Sequence, residues 1–141
     1  MVYADTSALV KRYLIEPFSS EFETLFMQAP LVTSRLSLVE MRCAVARKRR
    51  DRQITARIEN RVTSEMATDI QDGALLIGEV GAAHFTAAFH LIDRLSGTPL
   101  RALDALHLAV AEQLAASAFA TADRHQADAA EALGLTVHRF C

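Results

Sequence analysis

The chain has 141 residues, about half of them apolar (51%), so a single domain spanning residues 1–141 with one well-filled core is expected. Its formal net charge of −2 is unremarkable. No stretch reaches the ~18 uncharged apolar residues of a membrane span, and the start has no signal-like block, so a cytoplasmic location is expected.

Met1-Val2-Tyr3-Ala4 reads as a strand that runs directly into Asp5, Thr6 and Ser7, after which Ala8 to Leu14 reads as a helix. Asp5 therefore stands where a strand stops and a helix begins, either as a helix cap or as part of a site. Glu16-Pro17 breaks the chain. Ser20-Glu21-Phe22-Glu23 has the form of a capping box opening a second helix, with Phe22, Leu25 and Phe26 on one face. Pro30 ends that helix and Leu31-Val32-Thr33 follows as a strand. From Ser34 to about Arg50 the pattern is helical, with a stripe of Leu36, Val39, Cys43 and Ala46 widened by Leu38, Met41 and Val45. Gln53 to Ile70 is a more polar helix.

Asp72-Gly73 marks a turn, Ala74 to Ile77 a strand and Gly81 to Leu95 an alanine-rich helix. After the Ser96–Pro99 break, Ala102 to Ala116 is apolar almost all round, as a central buried helix should be. Ala118 to Thr121 is a strand, Arg124 to Leu133 a helix and Thr136 to His138 the last strand. Strands separated by helices imply an α/β fold, with a mostly parallel sheet of four or five strands between two helical layers.

Four acids ask for an explanation: Asp5, Glu40, Asp104 and Asp123. Glu40 and Asp104 interrupt apolar helix patterns, whereas Asp5 and Asp123 follow strands. Each has a local alternative: a capping box from Ser37 for Glu40, the helix dipole for Asp104, and a helix cap for Asp123. All of these would still lie at the carboxyl edge of one parallel sheet. Carboxylates gathered there repel one another unless a cation offsets them, and hard ions such as Mg²⁺ or Mn²⁺ suit all-oxygen surroundings.

Asp5-Thr6-Ser7-Ala8-Leu9, Glu40 in a Leu-Val-Glu helix, Leu103-Asp104-Ala105-Leu106-His107-Leu108-Ala109 and Thr121-Ala122-Asp123-Arg124 resemble, in order, the motifs of PIN-domain nucleases. More narrowly they look like those of VapC toxins. The resemblance implies a three-layer PIN-like domain and an Mg²⁺- or Mn²⁺-dependent endoribonuclease. It also implies a VapB-like antitoxin partner and a homodimer. Asp5, Glu40, Asp104 and Asp123 would then form the acidic metal site, with Ser7 and Thr6 supporting it. Asp128 is an alternative to Asp123 as the fourth acid. Once Asp5 is taken as a ligand, the cap of the first helix is expected to fall to Thr6 or Ser7.

Eight of the fifteen Lys and Arg residues lie between Arg42 and Arg61. Arg42, Arg47, Arg49 and Arg50 could hold an RNA backbone, or could simply form the solvated end of a helix. His84 and His90, six apart, do not make a zinc pair. His107 could hydrogen-bond Asp104 or be an ordinary core histidine, and His125 could reach the site edge. Cys43 and Cys141 suggest neither a disulfide nor a thiolate site. A catalytically silent PIN-like module that binds RNA or a partner is the competing reading. An aspartyl phosphatase is disfavoured because Ser7, not a second acid, stands two residues after Asp5.

Overall fold

The computed structural model describes all 141 residues. It consists of β1 (Val2–Ala4), α1 (Thr6–Tyr13), α2 (Ser19–Gln28), β2 (Leu31–Ser34), α3 (Arg35–Arg50) and α4 (Ala56–Gln71). There follow β3 (Leu75–Gly78), α5 (Ala82–Arg94), α6 (Ala102–Gln113), β4 (Ala118–Thr121), α7 (Arg124–Ala132) and β5 (Thr136–Arg139). All five strands are parallel, in the order β3-β2-β1-β4-β5, as the strand–helix alternation predicts.

This order turns the chain outward in both directions from β1 and β4. The gap beyond their carboxyl ends is the switch point at which open α/β sheets bind ligands. Alternation along β1 sends Val2 and Ala4 to a core shared with α1, α2, α3 and α4, and Tyr3 to a second core shared with α5, α6 and α7. Tyr3 stacks on Phe119 of β4 at 5.4 Å between ring centres. The sheet is thus covered on both faces, giving three layers. No helix is long and apolar enough to cross a membrane.

α6 is buried continuously from Asp104 to Ala111, as its lack of a polar face requires. It ends earlier than the sequence pattern suggests, at Gln113, because Ala115 takes a left-handed turn (φ 50°) toward β4. Gly73, at φ 75°, makes the expected turn into β3.

Two local expectations are corrected. The capping box at Ser20 does not form: α2 starts at Ser19 after Phe18, which is left-handed at φ 68° and makes no side-chain cap. The Ser19 hydroxyl instead accepts from the Glu16 amide and donates to the Leu14 carbonyl, closing the loop around Pro17. In α3, the face turned to the sheet carries Ser37, Met41 and Val45, whereas Val39 (62% exposed) and Cys43 face outward. Ser34 caps the helix, and Thr33 donates a 2.6 Å hydrogen bond to Ser37, fixing that rotation.

Candidate active site

The buried centre of the site is Asp5, only 2% exposed. Its amide donates to the Ala120 carbonyl, extending the β1–β4 ladder one step beyond Ala4 and Ala120. Its carboxylate receives the Ala8 amide at 2.9 Å, the Ser7 hydroxyl at 2.8 and 2.9 Å, and the Thr121 hydroxyl at 2.7 Å. Burial pushes the Asp5 carboxyl above its ordinary pKa; His107 and the bonds from Thr121, Ala8 and Ser7 offset only part of that. Asp5 is itself the cap of α1, so the expectation that Thr6 or Ser7 takes that duty is corrected. Both hydroxyls are engaged elsewhere: Ser7 on Asp5, while accepting from the Ala122 amide at 2.8 Å, and Thr6 on Glu40.

Glu40 projects from the middle of α3 and is not in a capping box, since Ser34 already caps that helix. One oxygen, Oε2, receives the Thr6 hydroxyl at 2.5 Å and faces Nε2 of His107 at 2.7 Å. Burial raises the Glu40 pKa, but the hydrogen bonds from His107 and Thr6 outweigh it and hold the carboxyl below its ordinary value. On its other side His107 meets the Tyr3 hydroxyl through Nδ1, also at 2.7 Å. Burial pushes the pKa of the Tyr3 phenol up, so the hydroxyl stays protonated beside the His107 ring. His107 thus serves Glu40, not Asp104.

Asp104 lies in the first turn of α6, where Oδ2 receives the Arg101 amide at 3.2 Å and the Arg101 Nε at 2.9 Å. The same guanidinium reaches Asp123 Oδ2 at 3.1 Å. Asp123 caps α7 through the Gln126 amide, so its local role is real as well. Asp128 points away, paired with Arg139 on the surface. Gln126 is buried, with Nε2 3.4 Å from the Asp104 carbonyl and Oε1 3.4 Å from the Thr121 hydroxyl.

Asp5, Glu40, Asp104 and Asp123 line one cavity of about 720 Å³. Arg47, Lys48, Arg50 and Arg101 also line it, as do the outward-facing Val39 and Cys43 of α3 and Leu103 of α6. The basic cluster is therefore divided: Arg47 and Arg50 face the cavity, whereas Arg42 and Arg49 pair with Glu59 on α4. His84 hydrogen-bonds the Gly81 amide, and His90 and His125 are exposed. Cys43 and Cys141 are free thiols.

The four carboxylates are the oxygen-donor chemistry that Mg²⁺ or Mn²⁺ prefers, whereas the His107 imidazole is already committed to Glu40 and Tyr3. As they stand, no three His, Cys, Asp or Glu side chains converge into a ready metal shell. The Arg101 guanidinium occupies the approach to two of them, Asp104 and Asp123.

The sequence pattern passed over Arg101, Thr121 and Gln126 and left His107 undecided. The i, i+3 spacing of Arg101 and Asp104 was a usable signal. Thr121 meets Asp5 only through strand register, which no local pattern reveals.

The PIN domain family model matches residues 2–132. No curated protein matches the chain in sequence. Among solved structures, VapC20 of Mycobacterium tuberculosis, described as a sarcin-ricin loop cleaving toxin, aligns with a TM-score of 0.72 at 16% identity over 96% of this chain and 97% of that one. FitAcB of Neisseria gonorrhoeae aligns with a TM-score of 0.70 at 18% identity over 97% and 96%. VapBC2 of Rickettsia felis, solved bound to a promoter DNA fragment, aligns with a TM-score of 0.65 at 17% identity over the whole of both chains. At these identities the likeness is one of fold.

Proposed function

The chain belongs to the PIN-domain family, and from that premise we propose that it is a metal-dependent endoribonuclease, the toxin of a toxin–antitoxin pair. The observation that carries this reading is the meeting of Asp5, Glu40, Asp104 and Asp123 around one cavity at the sheet's switch point.

Mg²⁺ or Mn²⁺ held by Asp5, Glu40, Asp104 and Asp123 would supply charge neutralisation at the phosphate and a lowered pKa for the attacking water. The chain's own contribution is preorganisation. Asp5 is locked by its hydrogen bonds from Ser7, Ala8 and Thr121, so its carboxylate does not have to reorganise during the reaction. Thr6 and His107 hold Glu40 ionised and fixed in direction. Arg47 and Arg50 line the same cavity and would bind phosphates of the RNA backbone.

Partners follow from two exposed apolar features. Val39 and Leu103, 62% and 44% exposed, rim the cavity and suit an apolar antitoxin segment that covers the acids. Phe85, Phe89 and Ile92 form an exposed stripe along one face of α5, suited to a second copy of the chain. The test of function is RNA cleavage by purified, antitoxin-free protein. Cleavage with Mg²⁺ or Mn²⁺ that fails in EDTA supports the reading; RNA binding without cleavage would make the protein a silent module. A small reading frame encoding a DNA-binding protein directly upstream would support the antitoxin.

A further inference from the structure

Arg101 stands apart from the other cations of the site. It is the residue before the first turn of α6, and its guanidinium joins acids from two elements, Asp104 of α6 and Asp123 at the start of α7. The Asp104 side chain is only 12% exposed, so ionised it needs a counter-charge close by. Arg101 supplies one through Nε at 2.9 Å and Nη2 at 3.4 Å, while Nη2 also reaches Asp123 at 3.1 Å. The oxygens engaged belong to two of the four acids that would hold a divalent ion. The Arg101 side chain is 74% exposed, so these bonds are the main thing that holds it in place.

We propose that Arg101 is an exchangeable counter-cation: it holds Asp104 and Asp123 in the metal-free protein, and a divalent ion entering the cavity displaces it. The freed side chain then faces the cavity that Arg47 and Arg50 also line, where it can take up a phosphate of the substrate. This inference rests on the metal-dependent reading of the site.

The experiment is Mn²⁺ binding to the full-length protein, read from the electron paramagnetic resonance of free Mn²⁺, for wild type, Arg101→Ala, Arg101→Lys and Asp104→Asn. Melting curves are recorded with and without the ion. Arg101→Ala is expected to bind Mn²⁺ about tenfold more tightly, the scale of one charge-assisted hydrogen bond no longer broken. It should also melt lower than wild type without metal and gain more from its addition. Arg101→Lys should bind more tightly than wild type too, because an ammonium keeps the charge but cannot bridge the two acids. Affinity unchanged or weakened in Arg101→Ala overturns the proposal. So does a Lys variant indistinguishable from wild type, since charge at a distance would then explain the effect. If wild type and Asp104→Asn alike fail to bind Mn²⁺, the metal-centre reading falls, and this inference with it.

Discussion

His107 Nε2 lies 2.7 Å from Glu40 Oε2, tying α6 to α3 across 67 residues of sequence. The imidazole is 3% exposed, and its other nitrogen is engaged by Tyr3, so one buried line runs from a strand hydroxyl to a carboxylate of the site. His107 is a positioning residue: it acts by holding Glu40. Tyr3→Phe keeps the packing on Phe119 and removes only the hydroxyl, for an expected cost of about 1 kcal/mol. His107→Ala also opens a cavity and leaves Tyr3 unpaired, for about 2–4 kcal/mol. Urea denaturation measures both. Single-turnover kinetics should show His107→Ala lowering the cleavage rate much more than RNA affinity, with Tyr3→Phe in between.

Asp5 has a structural and a chemical duty, and two substitutions separate them. Asp5→Asn retains an oxygen for the Ala8 amide, so the metal-free protein should melt within a few degrees of wild type. Asp5→Ala loses the cap and should cost about 1 kcal/mol. Both should abolish cleavage. A large drop in melting temperature for Asp5→Asn would mean that ionised Asp5 is chiefly structural.

The pH dependence of stability carries a definite sign at Asp5. Its folded-state pKa is raised above the ordinary 3.8, so the folded protein holds this proton more tightly than the unfolded chain. Stability from this group is greatest at low pH and is lost as pH rises from about 3.8 through the raised value. Unfolding free energies of wild type and Asp5→Asn, measured in urea over that range without metal, should therefore shift in favour of Asn as pH rises. Glu40 acts in the opposite sense: its lowered pKa gives stability that is present at neutral pH and lost on acidification. Comparing each with its own amide variant distinguishes the two.

Arg47 and Arg50 line the cavity, whereas Arg42 is held by Glu59. Replacing Arg47 or Arg50 with Ala should weaken RNA binding across sequences and lower the slope of log affinity against log salt by about one each. Arg42→Ala should have a smaller effect. Fluorescence anisotropy with a single-stranded RNA at several salt concentrations measures all three.

The fold was legible because its signals are local. Helical and strand periods alternate, Gly73 and Pro30 punctuate them, and a helix apolar on every side, from Asp104 to Ala111, could only be central. Asp5 and Asp123 declared themselves as acids after strands. What each acid touches was not legible, because it depends on register and rotation. Thr121 reaches Asp5 only because β1 and β4 pair as Ala4 with Ala120. In α3 two apolar stripes compete, and the rotation that forms the Thr33–Ser37 bond and buries Met41 and Val45 in the core is the one adopted. That rotation leaves Val39 and Cys43 at the cavity with Glu40. Likewise, no local pattern reveals that Asp123 lines the cavity while Asp128 pairs with Arg139 on the surface.

The central claim is that the four acids act through a divalent ion to cut RNA. Its most direct test is to strip the purified protein with EDTA, measure RNA cleavage, restore Mn²⁺ and measure again, in wild type and in Asp104→Asn. Cleavage that disappears, returns with the ion in wild type, and remains at least about a hundredfold lower in Asp104→Asn is the predicted result. Cleavage that persists in EDTA and is unchanged by the substitution would contradict it.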